Sequence, residues 1–344
     1  MSSQKLKKTA AVDDGALNLI IIIIVASILL VAITGIYLAL THATPSLPEG
    51  EQSGTGDDVP AGTVADYPFK TDIATPVFDD ADSLTISKVI NSDHAIIVDV
   101  TSGKVLASRL GKTMIYPASM TKVMTLIVAV ENLETESSLD DVITISTEPG
   151  KNSGYGFKVG EKLTVKDLLY AAILQSDGIA CLELANYIAG SEVNFVKLMN
   201  QKAQALGIGE TTLFQNCTGL HHKYHYTTCY DMSVIMAYAM KNPLCADVLA
   251  SLSHKPSDNF RPGEGCTFWH TLLHNHLSDG NTQPHNATLI AGKTGLTEKE
   301  TSGHCIVAYA KGDDGHFYVS VTAKADSWVA NVDDILNIFN AHVK

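Results

Sequence analysis

Ser119 and Lys122 lie three residues apart in the stretch YPASMTK at 116–122, and the apolar run VMTLIVAV at 123–130 follows directly. Pro117 suits the first turn of a helix, where its fixed φ and missing N–H cost nothing. No Gly or Pro interrupts the run after it, and apolar residues fall on nearly every side, which predicts a helix buried in a core. A spacing of three puts the hydroxyl and the amine on one face at the mouth of that helix. Such a pair can act as nucleophile and base, because burial favours the neutral form of a lysine and only the neutral amine accepts a proton. The helix N-terminus also offers free N–H groups where an oxyanion can form. The same Ser-x-x-Lys spacing occurs in chains where neither residue reacts, so the elements around it have to decide.

Those elements read as an α/β domain. HAIIVDV at 94–100 and VLASR at 105–109, joined by a turn through Gly103, predict two strands. DVITIS at 141–146 predicts a third. A helix is predicted over 163–174 with Thr164 as a possible cap, and the polar break at 175–178 precedes a second apolar helix at 179–188. Helical periods continue at 192–205, 230–240 and 329–342. IVAYA at 306–310 and FYVSVTA at 317–323 flank a GDDG turn and predict a hairpin. Strands, a block of helices, then strands and a closing helix place both chain ends in one sheet.

The chain of 344 residues has room for a membrane span and one good-sized domain. Its formal net charge of −13, with Lys5, Lys7 and Lys8 as the main basic cluster, argues against a nucleic-acid partner. Residues 1–15 predict a cytoplasmic N-terminus. Residues 16–40 carry no charge, and at about 1.5 Å per residue they exceed the ~30 Å hydrocarbon core. The lysines before them put the N-terminus in the cytoplasm. A cleaved signal peptide competes, with a mediocre cleavage site at Thr41-His42-Ala43, but its apolar region is usually only about 7–15 residues. The expectation is an uncleaved single-pass anchor in the cell membrane, an acidic flexible tether over 41–80, and an extracytoplasmic catalytic domain over 81–344. Cys181, Cys217, Cys229, Cys245, Cys266 and Cys305 show no zinc-ribbon spacing and read mostly as free, buried thiols.

Two further triplets join the serine helix: Ser176-Asp177-Gly178 between two helices, and Lys293-Thr294-Gly295 before an expected strand. With Asn in place of Gly178, this trio marks β-lactamases and penicillin-binding proteins. Stretches such as VGEKLTVKDLLYAAILQSDGIACLELANYIAG, LGIGETTLFQNCTGL, HYTTCYDM and AGKTGLT occur in the same order as in the serine-type D-alanyl-D-alanine carboxypeptidases. About residues 90–340 resemble that family, the low-molecular-mass penicillin-binding proteins. The resemblance implies a penicillin-binding protein/β-lactamase-like transpeptidase fold, with an antiparallel sheet flanked by helices and a helical lobe. It implies that Ser119 attacks the penultimate D-Ala carbonyl of peptidoglycan stem peptides ending in D-Ala-D-Ala, and that water hydrolyses the acyl-enzyme. Lys122 is then the general base and Ser176 a proton relay. Lys293 and Thr294, with Gly295, hold the terminal carboxylate, and the N–H groups of Ser119 and Leu296 form an oxyanion hole. β-Lactams acylate the same serine as inhibitors, and no cofactor or metal is implied. The chain stops soon after its last helical pattern, so the C-terminal β-domain and anchor of some relatives are expected to be lacking. Residues 16–40 then do the anchoring.

Gly178 stands where the family usually has an Asn whose amide touches both the lysine and the substrate. It favours a second reading, a non-catalytic or β-lactam-sensing module with the same fold. A third, a β-lactamase, needs a carboxylate for deacylation; Glu210 is the candidate, but the Glu-x-x-Leu-Asn pattern is incomplete. His221, His222 and His225, and His270, His274 and His276, resemble ligand sets but lack His-Glu-x-x-His spacing. They read as surface or cleft-lining residues.

Overall fold

The structure, a computed structural model, describes residues 73–87, 90–148, 154–277 and 283–344. The charge-free run at 16–40 and the tether up to residue 72 lie outside the described residues. Among the described residues no helix is long and apolar enough to cross a membrane.

A six-stranded sheet forms the centre; the short strands β4 (Val142–Thr144) and β5 (Lys162–Thr164), and β6 (Ser253–His254) and β7 (Phe268–Trp269), pair separately from it. In the order β1-β3-β2-β10-β9-β8 its strands are β1 (Leu84–Thr85), β3 (Lys104–Arg109), β2 (His94–Asp99), β10 (Phe317–Ala325), β9 (His304–Gly312) and β8 (Ala287–Leu296). Every pairing is antiparallel except that of the short edge strand β1 with β3, which is parallel. The first and last strand pairs meet at β2 and β10, as both chain ends in one sheet require.

Both faces of this sheet are covered, and the sequence shows why. Along β9, Cys305, Val307 and Tyr309 enter one core while Ile306, Ala308 and Ala310 enter the other. In β2, Ile96 and Val98 divide from Ala95 and Ile97 in the same way. Successive side chains of a strand point to opposite faces, so a continuous apolar run marks a strand buried on both. One face receives α7 (Trp328–His342) through Val332, Ile335, Ile338 and Phe339. The other carries α5 (Cys229–Ala239) and the helical lobe.

The lobe comprises α1 (Thr121–Glu131), α2 (Val165–Leu174), α3 (Gly178–Ala189), α4 (Glu192–Ala205) and α6 (Pro243–Ala250). Helix α1 is its axis, and every residue from Thr121 to Val130 is buried. Helix α4 is the contrast: only Phe195, Met199 and Ala203, four residues apart, are buried. Its inward stripe still matters, since full burial of a side chain like Phe195 contributes roughly 1.5–3 kcal/mol. Thr164 and Asp167 form a reciprocal capping box at the start of α2, and Asp177 caps α3 by accepting from Ala180 N.

The structure adds to or departs from the sequence reading at three points. Residues 73–80 are not all tether: Phe78 is buried against the Tyr230 ring, and Asp79 bridges to Lys104. An apolar ring at that point gains from burial that a solvated linker cannot give. The Lys293-Thr294-Gly295 triplet precedes strand β9 but is itself part of a strand, β8, opposite Val307, Ile306 and Cys305 of β9. Helix α6 was absent from the sequence reading, although Asn242 accepts from Leu244 N and Cys245 N as a cap and Pro243 takes the first helical position. All six cysteines are free, and all but Cys266 are buried, as expected for core thiols.

Candidate active site

A short 3-10 turn, Ala118–Met120, feeds α1 and carries Ser119. Ala118 just before it has φ +47, a strained value for a residue with a Cβ, and Ser176 has φ +53. Strain of this kind persists only where surrounding packing fixes it. Here the packing is visible. Strand β8 presses on the turn so closely that a Cβ at Gly295 would lie 2.9 Å from the Pro117 carbonyl oxygen. Gly219 also packs on the Ala118–Ser119 peptide.

Two serine–lysine pairs result. Lys122 Nζ lies 3.1 Å from Ser119 Oγ and donates to the Thr218 carbonyl. Lys293 Nζ lies 2.9 Å from Ser176 Oγ and bonds the Thr294 carbonyl. Lys122 and Lys293 are 2% and 1% exposed, so both amines are nearly dry. Burial, with the Lys122 charge adding, holds Lys293 well below the ordinary lysine range. An anion arriving beside it favours its protonated form.

The pairs meet at a cleft of about 260 Å³ whose walls include Ser119, Lys122, Ser176, Leu220, Leu296 and Thr297. Of the residues singled out in the sequence, Ser119, Lys122, Ser176 and Leu296 are thus brought together directly. Lys293 sits behind Ser176, while Thr294 and Gly295 are buried alongside on β8. Gly178 is buried at the first position of α3, off the cleft wall. The sequence reading missed Gln175, Thr218, Gly219 and Thr297, and also Gly154, whose segment is held by Tyr155 N donating to Asp177 Oδ2. For Thr218 and Gly219 a signal existed, an Asn two and three residues upstream of them in a Gly-containing loop.

The histidines divide unexpectedly. Among the described residues no three His, Cys, Asp or Glu side chains are grouped to hold a metal. His221 is exposed and sits edge-on to Tyr116, but His225 and His270 are 2% and 1% exposed and are not part of the cleft wall. Gln215 N donates to His225 Nδ1, so the proton is on Nε2, which faces Thr121 Oγ1 at 2.8 Å. His270 Nδ1 likewise accepts from Leu272 N and Leu273 N. These rings are core acceptors for backbone N–H groups that would otherwise be unpaired.

That use has an acid cost. Burial pulls both imidazoles down to about 3, with positive neighbours adding to it. A depressed folded pKa means stability present above the unfolded value near 6.5 and lost as pH falls toward 3. Each ring contributes a slope of about 1.4 kcal/mol per pH unit in that window. The thermal midpoint is therefore expected to fall steeply between pH 6.5 and 4.5, and less steeply in His270→Asn. A flat midpoint over that range contradicts the neutral burial of these rings.

A sequence profile of the D-alanyl-D-alanine carboxypeptidase family matches residues 81–327. The chain belongs to that family. Its members include D-alanyl-D-alanine carboxypeptidase DacF of Bacillus subtilis, 35% identical over 150 residues, which are 43% of this chain and 38% of the relative. The D-alanyl-D-alanine endopeptidase of Pseudomonas aeruginosa is 32% identical over 230 residues, 65% of this chain and 68% of the relative. The chain thus spans well under half of the Bacillus carboxypeptidase but about two thirds of the endopeptidase. The crystal structure of a D-alanyl-D-alanine carboxypeptidase from Mycobacterium tuberculosis superposes with a TM-score of 0.62 at 27% identity, covering 76% of this chain and 93% of that one. A mutant of the Streptomyces K15 DD-transpeptidase reaches a TM-score of 0.64 at 23% identity over 74% of this chain and 98% of its own, and so shares the fold. In this carboxypeptidase family member Lys122 is hydrogen-bonded to the Thr218 carbonyl of the 216–220 loop, and Gly178 has no side chain that could reach it.

Proposed function

We propose that this family member is a serine-type D-alanyl-D-alanine carboxypeptidase that removes the terminal D-Ala from peptidoglycan stem peptides. The observation that carries this is the convergence of Ser119–Lys122 and Ser176–Lys293 on one cleft. Lys122 takes the Ser119 proton as Oγ bonds to the penultimate D-Ala carbonyl carbon. The oxyanion faces the N–H groups of Ser119 and Leu296. As the C–N bond breaks, Ser176 passes a proton to the leaving amine. Water then attacks the ester and frees Ser119. Lys293 acts from behind Ser176 as a cationic field for the substrate carboxylate, with Thr294 and Gly295 shaping that wall. β-Lactams acylate Ser119 by the same first step.

Gly178 favours a second reading, a non-catalytic or β-lactam-sensing module, because one side chain of the usual machinery is missing. A β-lactamase is disfavoured: Glu210 is exposed on the 206–212 turn, and among the described residues no Asp or Glu lines the cleft. Residues 16–40, flanked by Lys5, Lys7 and Lys8, support membrane anchoring with the domain outside the cytoplasm. A fluorescent penicillin is expected to label the protein covalently, with the adduct on the Ser119 peptide by mass spectrometry. An adduct elsewhere, or none, refutes the assignment.

A further inference from the structure

Asn216 binds five groups of the loop that follows it. Its Oδ1 accepts from Gly219 N at 2.7 Å, Leu220 N at 3.1 Å, Thr218 Oγ1 at 3.1 Å and Thr218 N at 3.2 Å. Its Nδ2 donates to the Leu220 carbonyl at 2.9 Å. The residue after Asn216 is tied to α1, since Thr125 Oγ1 donates to the Cys217 carbonyl at 2.7 Å. Between these ties the Thr218 carbonyl faces Lys122 Nζ. No side chain of the Ser176-Asp177-Gly178 triplet hydrogen-bonds Lys122: Ser176 bonds Lys293, Asp177 caps α3, and Gly178 has no side chain.

A neutral primary amine has two N–H bonds and one lone pair. A carbonyl can only accept, so an N–H aimed at the Thr218 oxygen restricts where the lone pair points. With Ser119 Oγ at 3.1 Å, the remaining freedom decides how often the lone pair meets the serine proton. We propose that Asn216 is a positioning residue for proton transfer: it holds the Thr218 carbonyl that orients Lys122. This rests on Ser119 and Lys122 being nucleophile and base.

The test uses the full-length protein and penicillin acylation, resolved into non-covalent binding and the first-order acylation rate. Asn216→Leu keeps the size and removes the acceptor; Asn216→Ser keeps a shorter acceptor for the Gly219 or Leu220 N–H. Asn216→Leu is expected to slow acylation at least tenfold, with binding changed less than threefold, and Asn216→Ser to recover part of the loss. A merely structural role instead lowers the thermal midpoint and leaves the acylation rate of the folded fraction unchanged. Acylation of Asn216→Leu within twofold of wild type overturns the proposal. If Asn216→Leu does not fold, Asn216→Ser decides alone: a threefold or greater slowing supports it, and an unchanged rate overturns it. A wild-type protein that penicillin does not acylate overturns the functional reading first, and this proposal with it.

Discussion

Lys122→Met is expected to fold and to be acylated by penicillin about 10³-fold more slowly than wild type. Positioned general bases contribute typically 10²–10⁴-fold, and Lys122 Nζ is the amine 3.1 Å from the attacking oxygen. Methionine has nearly the volume of the lysine stem, so the core around α1 stays filled. The residue is 2% exposed, and removing its polar head also removes a desolvation cost. The Thr218 carbonyl loses its donor, at a cost of about 1–3 kcal/mol that offsets this gain, so stability should change little while acylation collapses, which separates loss of chemistry from loss of fold. Stopped-flow or gel-based labelling together with thermal unfolding reads both. A slowing of less than tenfold in a folded Lys122→Met contradicts the role given to this amine.

Gly219→Ala should do comparable damage by another route. A Cβ there would lie 2.0 Å from the Ala118 carbonyl oxygen, 2.5 Å from its carbon and 2.9 Å from Ser119 N. These are backbone atoms of the turn that carries the nucleophile, so nothing nearby can rotate away. The residue also has φ +84, which by itself costs about 1–2 kcal/mol for alanine. Gly315 supplies the control, with the same φ of +84 and nothing within 4 Å of an added Cβ. Gly315→Ala should lower the thermal midpoint by a few degrees and leave acylation intact, at about 2–4 °C per kcal/mol for a domain of this size. Gly219→Ala should lower it further and cut acylation at least a hundredfold. Equal behaviour of the two variants means that the 216–220 loop does not press on the serine turn as described.

The contrast between these sites shows what a sequence can reveal here. The Ser119–Lys122 pair was legible because both residues sit on one helix, where spacing alone fixes the face. The apolar runs of β2, β9 and β10 announced strands, and the burial of both faces explains their lack of alternation. The capping box at Thr164 and Asp167 was half visible, through the cap alone. The loop over Asn216, Thr218 and Gly219 was legible as a turn but not in its role, because its importance lies in contacts with Ala118, Thr125 and Lys122, all about a hundred residues away. His225 and His270 misled for the same reason: clustering along the chain suggested cleft or surface, while the fold turns each ring inward to accept backbone N–H groups. The Lys-Thr-Gly triplet was found by type, but only the pairing of β8 with β9 shows that it is part of a strand pressed on the serine turn.

The measurement that bears most directly on this account is release of D-alanine from diacyl-Lys-D-Ala-D-Ala by the purified full-length protein, beside Ser119→Ala. The expected result is steady release by wild type and none above background by Ser119→Ala, which would show that Gly178 is compatible with turnover. Wild-type protein that is labelled by penicillin at Ser119 yet releases no D-alanine contradicts the carboxypeptidase and favours a penicillin-binding module without turnover.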